Sequence, residues 1–430
     1  MIAGVIGFMT LSFVIPLNTS LLMSTGGPCP LRVEGQGIEY DECVEDVGKQ
    51  LTTVTCLVAG IGSFLLGVVG KVPVLVAPSV AMTTYLAQTV ISVDGSGLDW
   101  NAALTAVFMS GAISLAITIT GIRGLIYRLF PKASPQRTPG GIALLLALVG
   151  LQGPHGLGLI TYSGDNLLEL GGCPADDRES LPGTDNYFCQ RSRLGDPVLW
   201  LGIGGFFIMA MGIIKRFPAA MLFGMLAVTV VGWVPNTEVS YFPDTDAGTA
   251  RFEYFKDIFD FTPISMSLVD MQFSQLTNID FWWVVATLLY TDMLGATGVL
   301  YTAAKQAGIA DSKGGFASEK AAFFSHGVGS TIAGVLGAAP SSGMESMTAL
   351  AAGGRTGFSA VIGASLLLLS IFLAPILTSI PSNATGPALI LTGAVMCQHL
   401  VTIQWQKPLE AIPAFITILG ILFTFSIAYG

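Results

Sequence analysis

Two carboxylates stand in stretches that are otherwise too apolar to hold a charge. Asp292 is the only charged residue between Phe281 and Ala304, and Glu345 lies in GVLGAAPSSGMESMTALAAGGRTGFSA, Gly334 to Ala360. An ionisable side chain in lipid is costly, so it is normally satisfied by a specific partner and marks a solute or proton path. One acid can bond a polar solute while the other takes up a proton. For Glu345 a second reading stays open, because a carboxylate at the start of a half-helix also fits as a cap on the helix dipole. Around the acids stand hydroxyls: Ser341 and Ser342 just before Glu345, and Thr83 and Thr84 in VPVLVAPSVAMTTYLAQTV, residues 72–90. The serines, with neighbouring backbone N–H groups, are well placed to meet a ligand. A threonine in a helix often bonds its own backbone instead.

These residues need elements that hold irregular backbone inside a membrane. Gly337, Ala338, Ala339 and Pro340 precede the serines, and Pro73 and Pro78 interrupt the first half of 72–90. Proline removes a backbone donor and small residues leave room for a second backbone. Each stretch therefore reads as a short extended piece followed by a half-helix. Broken backbone survives in lipid only where protein covers it or where it lines a cavity. Facing broken segments at the bilayer midplane are how many secondary transporters build their substrate sites.

The rest of the chain reads as spans. Of 430 residues, 52% are hydrophobic and 11% charged, with a mean hydropathy of +0.69. A soluble domain carries about 25% charged residues, so this is an all-α polytopic membrane protein in the lipid bilayer. The net charge of −9 comes largely from acids in two polar loops near 165–196 and 235–278 and gives no reason to expect a nucleic-acid partner. Spans are expected near 1–23, 51–70, 72–90, 102–122, 142–160, 197–214, 218–234, 281–304, 321–337, 338–353, 357–380, 385–403 and 411–430. Arg123, Arg128, Lys132 and Arg137 mark one inner loop and Lys215-Arg216 another. This count puts both acidic loops outside and the amino terminus in the cytoplasm, with the plasma membrane as the expected location.

Short echoes point to an internal repeat: GVVG at 67–70 against GVLG at 334–337, and TPGGIALLLALVGLQ at 138–152 against TGPALILTGAVMCQ at 385–398. Seven spans precede the long loop 235–278. An odd-numbered unit repeated once inserts upside down, so a seven-plus-seven inverted repeat is expected, with its last span missing from this sequence. Cys29 and Cys43 share one polar loop, and Cys173 and Cys189 another, so each pair can close locally in an oxidising compartment or remain free. Cys56 and Cys397 read as packing residues. His155, His326 and His399 show no metal-ligand spacing and read as packing or interfacial histidines. No phosphate-binding loop, zinc motif or nucleophile elbow is present in the sequence, and an enzyme is not expected.

At FMTLSFVIPLNTSLLMSTGGPC (8–29), VAPSVAMTTYLA, LVGLQG, GGRTGFSA, IPSNATGPALI and LEAIPAFITILGILFTFSIA the chain resembles the azaguanine-resistance (AzgA-like) family of purine nucleobase permeases. The resemblance implies a fold similar to the uracil permeases, with a core and a gate domain. Mapped here, the core comprises 1–130 and 279–380, the gate 131–234 and 381–430, and 235–278 connects the two halves outside. It implies proton-coupled movement of adenine, guanine or hypoxanthine, with the proton gradient as driving force, no cofactor, and a possible homodimer through the gate. The family's eighth-span acid matches Asp292 and its tenth-span glutamate matches Glu345. This chain departs from the family's pattern at Thr83 (asparagine), Gly295 (a second acid), Ala338-Ala339 (Thr-Ser) and His326 (a ninth-span aspartate). The departures fall at the pocket edge, so another planar solute such as a cytokinin, or a non-transporting scaffold or receptor, stays open as an alternative.

Overall fold

The computed structural model describes residues 1–29, 37–91, 98–122, 134–153, 156–161, 168–172, 178–180, 187–189, 193–217, 219–235, 237–242, 246–256, 262–264, 271–311, 315–343, 354–401 and 403–424. The uncharged amino-terminal run forms α1 (Ile2–Leu11) and α2 (Val14–Met23), nearly continuous across Ser12 and Phe13. Next, α3 (Gly37–Val68) begins well before the expected start at Leu51. Its extra turns are polar and are tied down by a disulfide from Cys43 to Cys29, whose Cα atoms are 6.0 Å apart, and by an ion pair from Glu45 to Arg251. Lys71, at φ 54°, turns the chain out of this helix into an extended run. That run contains β1 (Ala77–Pro78), followed by α4 (Val80–Tyr85) and a π-helical turn at Leu86–Val90.

The first half continues through α5 (Trp100–Thr120) and α6 (Ser134–Leu151). In the acidic loop, β2 (Ile160–Thr161) pairs with β3 (Glu169–Leu170), and β4 (Arg178–Ser180) pairs with β5 (Tyr187–Cys189), both antiparallel. Then come α7 (Pro197–Ile214), whose first turn is capped by Asp196 accepting from the Val198 N–H, and α8 (Ala220–Gly232). The polar stretch expected to be loop contains a helix, α9 (Asp246–Lys256). Its sequence has little apolar periodicity; Phe252 and Phe255 hold it by packing on Phe242 and Trp233.

The second half runs α10 (Ile279–Ala307), α11 (Glu319–Leu336), β6 (Ser341–Ser342), α12 (Gly357–Leu369), α13 (Ala374–Thr378), α14 (Ser382–Met396), α15 (Gln398–Val401) and α16 (Pro408–Thr424). Gly308 and Gly337 close α10 and α11 in the left-handed conformation, at φ 73° and 94°. Among the described residues, five helical segments are long and apolar enough to cross a membrane: 2–23, 42–68, 100–120, 197–214 and 279–307. The chain is a mostly helical, multi-pass integral membrane protein.

Helix packing sets where the broken segments lie. α3 packs on α2, α11 and α12; α5 packs on α10 and α11; α14 packs on α6, α7 and α8. The α5–α11 contact is backbone on backbone: a Cβ added at Gly111 would sit 2.6 Å from the Thr331 N, and one at Gly327 3.1 Å from the Leu115 Cα. Small residues at such contacts let membrane helices approach closely and let side chains hydrogen-bond across them.

Candidate functional site

The two broken segments meet. β1 and β6 pair antiparallel, with Ala77 opposite Ser342 and Pro78 opposite Ser341, and the Ser79 N–H donates to the Pro340 carbonyl at 2.9 Å. All four paired residues are buried. The prolines and small residues explain why: neither segment can continue as a helix there, and each backbone satisfies the other. Ser63 of α3 braces the approach, its hydroxyl accepting from the Val76 N–H at 2.9 Å and donating to the Val76 carbonyl at 3.0 Å. Asn18 of α2 braces the other side, its Nδ2 donating to the Pro78 carbonyl at 2.8 Å.

Two buried polar atoms at the crossing lack a partner among the described residues, Asn18 Oδ1 and Ser341 Oγ. Asn18 and Ser341 are each 1% exposed. The Ser341 hydroxyl lies toward the α3–α11 seam, 3.8 Å from where a Cβ on Gly62 would stand and 3.9 Å from one on Gly329. Ser342 is buried opposite Ala77. Thr83 and Thr84 are fully buried and bond their own helix, donating to the Ser79 carbonyl at 2.8 Å and the Val80 carbonyl at 2.9 Å. Glu345 and Met344 lie outside the described residues, as do His155 and Cys173, so a Cys173–Cys189 pair is not described.

Asp292 is buried to 2% exposure halfway along α10 and is satisfied by side chains. Its Oδ1 is 2.9 Å from His326 Nε2 and accepts from Ser330 Oγ at 3.2 Å; its Oδ2 accepts from Ser114 Oγ at 3.3 Å. Three helices supply this cluster: α5, α10 and α11. The glycine contact between α5 and α11 is what brings Ser114 within reach. His326, which spacing alone suggests as a packing residue, is the acid's closest partner; His326 and Ser330, four apart on α11, share a face. Phe323, three residues before His326 on α11, packs edge-on to Tyr301 with ring centroids 5.9 Å apart. Among the described residues no group of three or more His, Cys, Asp or Glu side chains could hold a metal ion.

Comparisons with known proteins place the chain in a family. The family model Xan_ur_permease, described as "Permease family", matches residues 39–169 and 191–430. The chain belongs to this permease family. It is 34% identical to the efflux pump notK' of Aspergillus versicolor, over all of this chain and 75% of that one. It is 33% identical to the putative xanthine/uracil permease C887.17 of Schizosaccharomyces pombe, over all of this chain and 69% of that one. With the guanine/hypoxanthine permease PbuG of Bacillus subtilis it shares 28% identity over all of this chain and 87% of that protein. Among solved structures, the transmembrane domain of the cyanobacterial bicarbonate transporter BicA superposes with a TM-score of 0.62 at 16% identity, covering 100% of this chain and 97% of that one. At that identity the likeness bears on the fold alone, which is that of a membrane transporter.

Proposed function

We propose that this permease moves purine nucleobases across a membrane by secondary transport, with protons as the coupled ion and no bound cofactor. The observation that carries the reading is the buried β1–β6 crossing, where two backbone segments and the unpartnered Asn18 Oδ1 converge. A purine edge offers N–H donors and ring acceptors, and an unmet buried acceptor costs about 1–3 kcal/mol until a donor arrives. In this reading Glu345, three residues beyond β6, and the crossing backbone grip the purine edge. Ser341, Ser342, Thr83 and Thr84 shape the crossing, and the cluster around Asp292 takes up the proton. The relatives named for guanine/hypoxanthine and xanthine/uracil support the solute class.

The same reading takes residues 1–130 and 279–380 as a core domain that moves against a gate domain of 131–234 and 381–430. It places the amino terminus in the cytoplasm, the protein in the plasma membrane, and a homodimer contact on the gate. Uptake of radiolabelled adenine, guanine and hypoxanthine into cells expressing the protein, with and without a protonophore, tests it. Proton-dependent uptake of any of the three supports the reading; absence of both uptake and exchange of all three rejects it and favours a non-transporting membrane receptor. One observation favours a second reading: a relative at 34% identity is named an efflux pump. Release of a preloaded purine or cytokinin, without net uptake, would identify an exporter.

A further inference from the structure

We propose that the proton-binding unit is the pair His326–Asp292, set between α5, α10 and α11 apart from the β1–β6 crossing, and that its mobile proton is held at His326 Nδ1. This rests on the proton-coupled reading above, but the argument for it is geometric. Both side chains are 2% exposed, and Nε2 lies 2.9 Å from Oδ1. Two hydroxyls, Ser330 and Ser114, donate to opposite carboxylate oxygens. Two hydroxyls donate to Asp292 and the imidazole does so too in the tautomer that carries hydrogen on Nε2, which suits an ionised carboxylate, because that form only accepts. With a neutral imidazole donating through Nε2–H, the cluster carries one negative charge.

One added proton makes the cluster neutral. If it is drawn as imidazolium with carboxylate, Nδ1 carries a hydrogen; if the shared hydrogen moves onto Oδ1, Nδ1 still carries it. A proton on Oδ2 would instead turn Ser114 from donor into acceptor; the arrangement that keeps both serine hydroxyls donating puts the entering proton on Nδ1, from which it leaves to water on release. No described residue bonds Nδ1, so nothing in the described fold holds that atom in one state. The groups facing the pair are Asp292 from α10, Ser114 from α5 and Ser330 from α11, with Gly62 the α3 residue nearest Gly329 on the adjacent face of α11. Among the described residues no other ionisable side chain bonds either partner. A low-dielectric site that is anionic without its proton and neutral with it gives the proton a strong effect on helix packing. Imidazole is the side chain suited to change charge near neutral pH.

The test uses the full chain in lipid nanodiscs, labelled with nitrogen-15 histidine; the sequence has only three histidines, so His326→Gln assigns its signal. The expected result is a His326 imidazole signal that changes with pH, with a midpoint that moves in Asp292→Asn. In transport, H326Q should lose about tenfold in accumulation driven by a pH gradient, with solute exchange falling far less. A His326 signal that never titrates, or full gradient-driven accumulation in H326Q, overturns the proposal. If H326Q fails to insert, Ser330→Ala removes one donor and keeps the imidazole, and an unmoved midpoint there overturns it as well. A titrating, Asp292-dependent His326 in a protein that moves no purine would support this pair and reject the nucleobase reading instead.

Discussion

Two acid–base pairs of similar chemistry sit in very different solvents. Inside the helices, Asp292 and His326 are both 2% exposed and, among the described residues, bonded only to each other and to two serines. At the face that carries the Cys29–Cys43 disulfide, Glu45 of α3 pairs with Arg251 of α9, with side chains 16% and 35% exposed. There Arg251 also lies over the Tyr241 ring, 5.3 Å from its centroid, and Lys49 over Tyr254 at 4.4 Å. These residues, with Met23, Thr378 and Ser379, line a small cleft of about 20 Å³ beneath α9. The outer pair shares its charge with water and with aromatic faces, so it clamps segments without being indispensable. The inner pair has no such alternative, so its protonation state and its packing are one variable.

The comparison breaks most sharply at Asp292. Asp292→Ala strips the imidazole and two hydroxyls of their acceptor, and breaking a buried pair costs about 3–5 kcal/mol. A large fall in Tm with loss of transport is expected; Asp292→Asn, which keeps the shape and one acceptor, should lose much less stability while still losing the pH response. A Tm for D292A equal to wild type would mean the inner pair is no tighter than the outer one.

Much of this arrangement was legible and some was not, for identifiable reasons. Pro73, Pro78 and the run Gly337–Pro340 announce broken helices, and the structure pairs those breaks as β1 and β6. Asp292 stands out because charge inside an apolar span is rare. Its partners were hidden: Ser114 is 178 residues away, and serine in a membrane helix carries no distinctive signal. His326 and Ser330 share a face, but spacing does not say which helix that face meets. Asn18 was visible only as a polar residue near a span's end; its role depends on the Pro78 carbonyl 60 residues on. α9 was invisible because its helix depends on aromatic contacts with Trp233 and Phe242 rather than on periodicity.

The next effects belong to the outer region's covalent tie and to the crossing's brace. The disulfide closes a sequence separation of 14. By loop-entropy reasoning its removal in Cys29→Ser costs about 3 kcal/mol, seen as a lower Tm that reducing agent no longer changes. The inner cluster should not register this: the His326 titration in C29S should match wild type. At the crossing, Asn18→Ala leaves the Pro78 carbonyl without its donor in a buried site and should cost about 1–3 kcal/mol. Weaker solute binding is expected with the His326 titration intact, which would place Asn18 with the crossing and not with the proton pair.

The smallest effect is expected at the outer pair. Exposed ion pairs contribute about 0–1 kcal/mol and are screened by salt, so Arg251→Ala should lower Tm only slightly, and less so at high ionic strength. Its clearer mark is alkaline. Burial holds the Tyr241 phenol above its ordinary 10.0, Arg251 opposes that rise, and Glu45 adds to it. Below pH 10 the phenol is protonated in folded and unfolded chains alike, so it contributes no pH dependence. Above 10 the unfolded phenol ionises first, the folded chain binds more protons, and stability falls as pH rises toward the folded value. Removing the guanidinium pushes the phenol higher still and steepens that loss, whereas Tyr241→Phe abolishes this contribution. Trp233 reports the docking of α9, because it stacks on Phe255 with centroids 4.6 Å apart and donates through Nε1 to the Ser379 carbonyl at 3.0 Å. Its fluorescence in a titration from about pH 9 to pH 11 should change earliest in R251A, then in wild type, and last in Y241F. An identical alkaline profile in all three would mean that Tyr241 ionises without loosening α9, and that the outer pair is an ornament of the surface rather than a clamp.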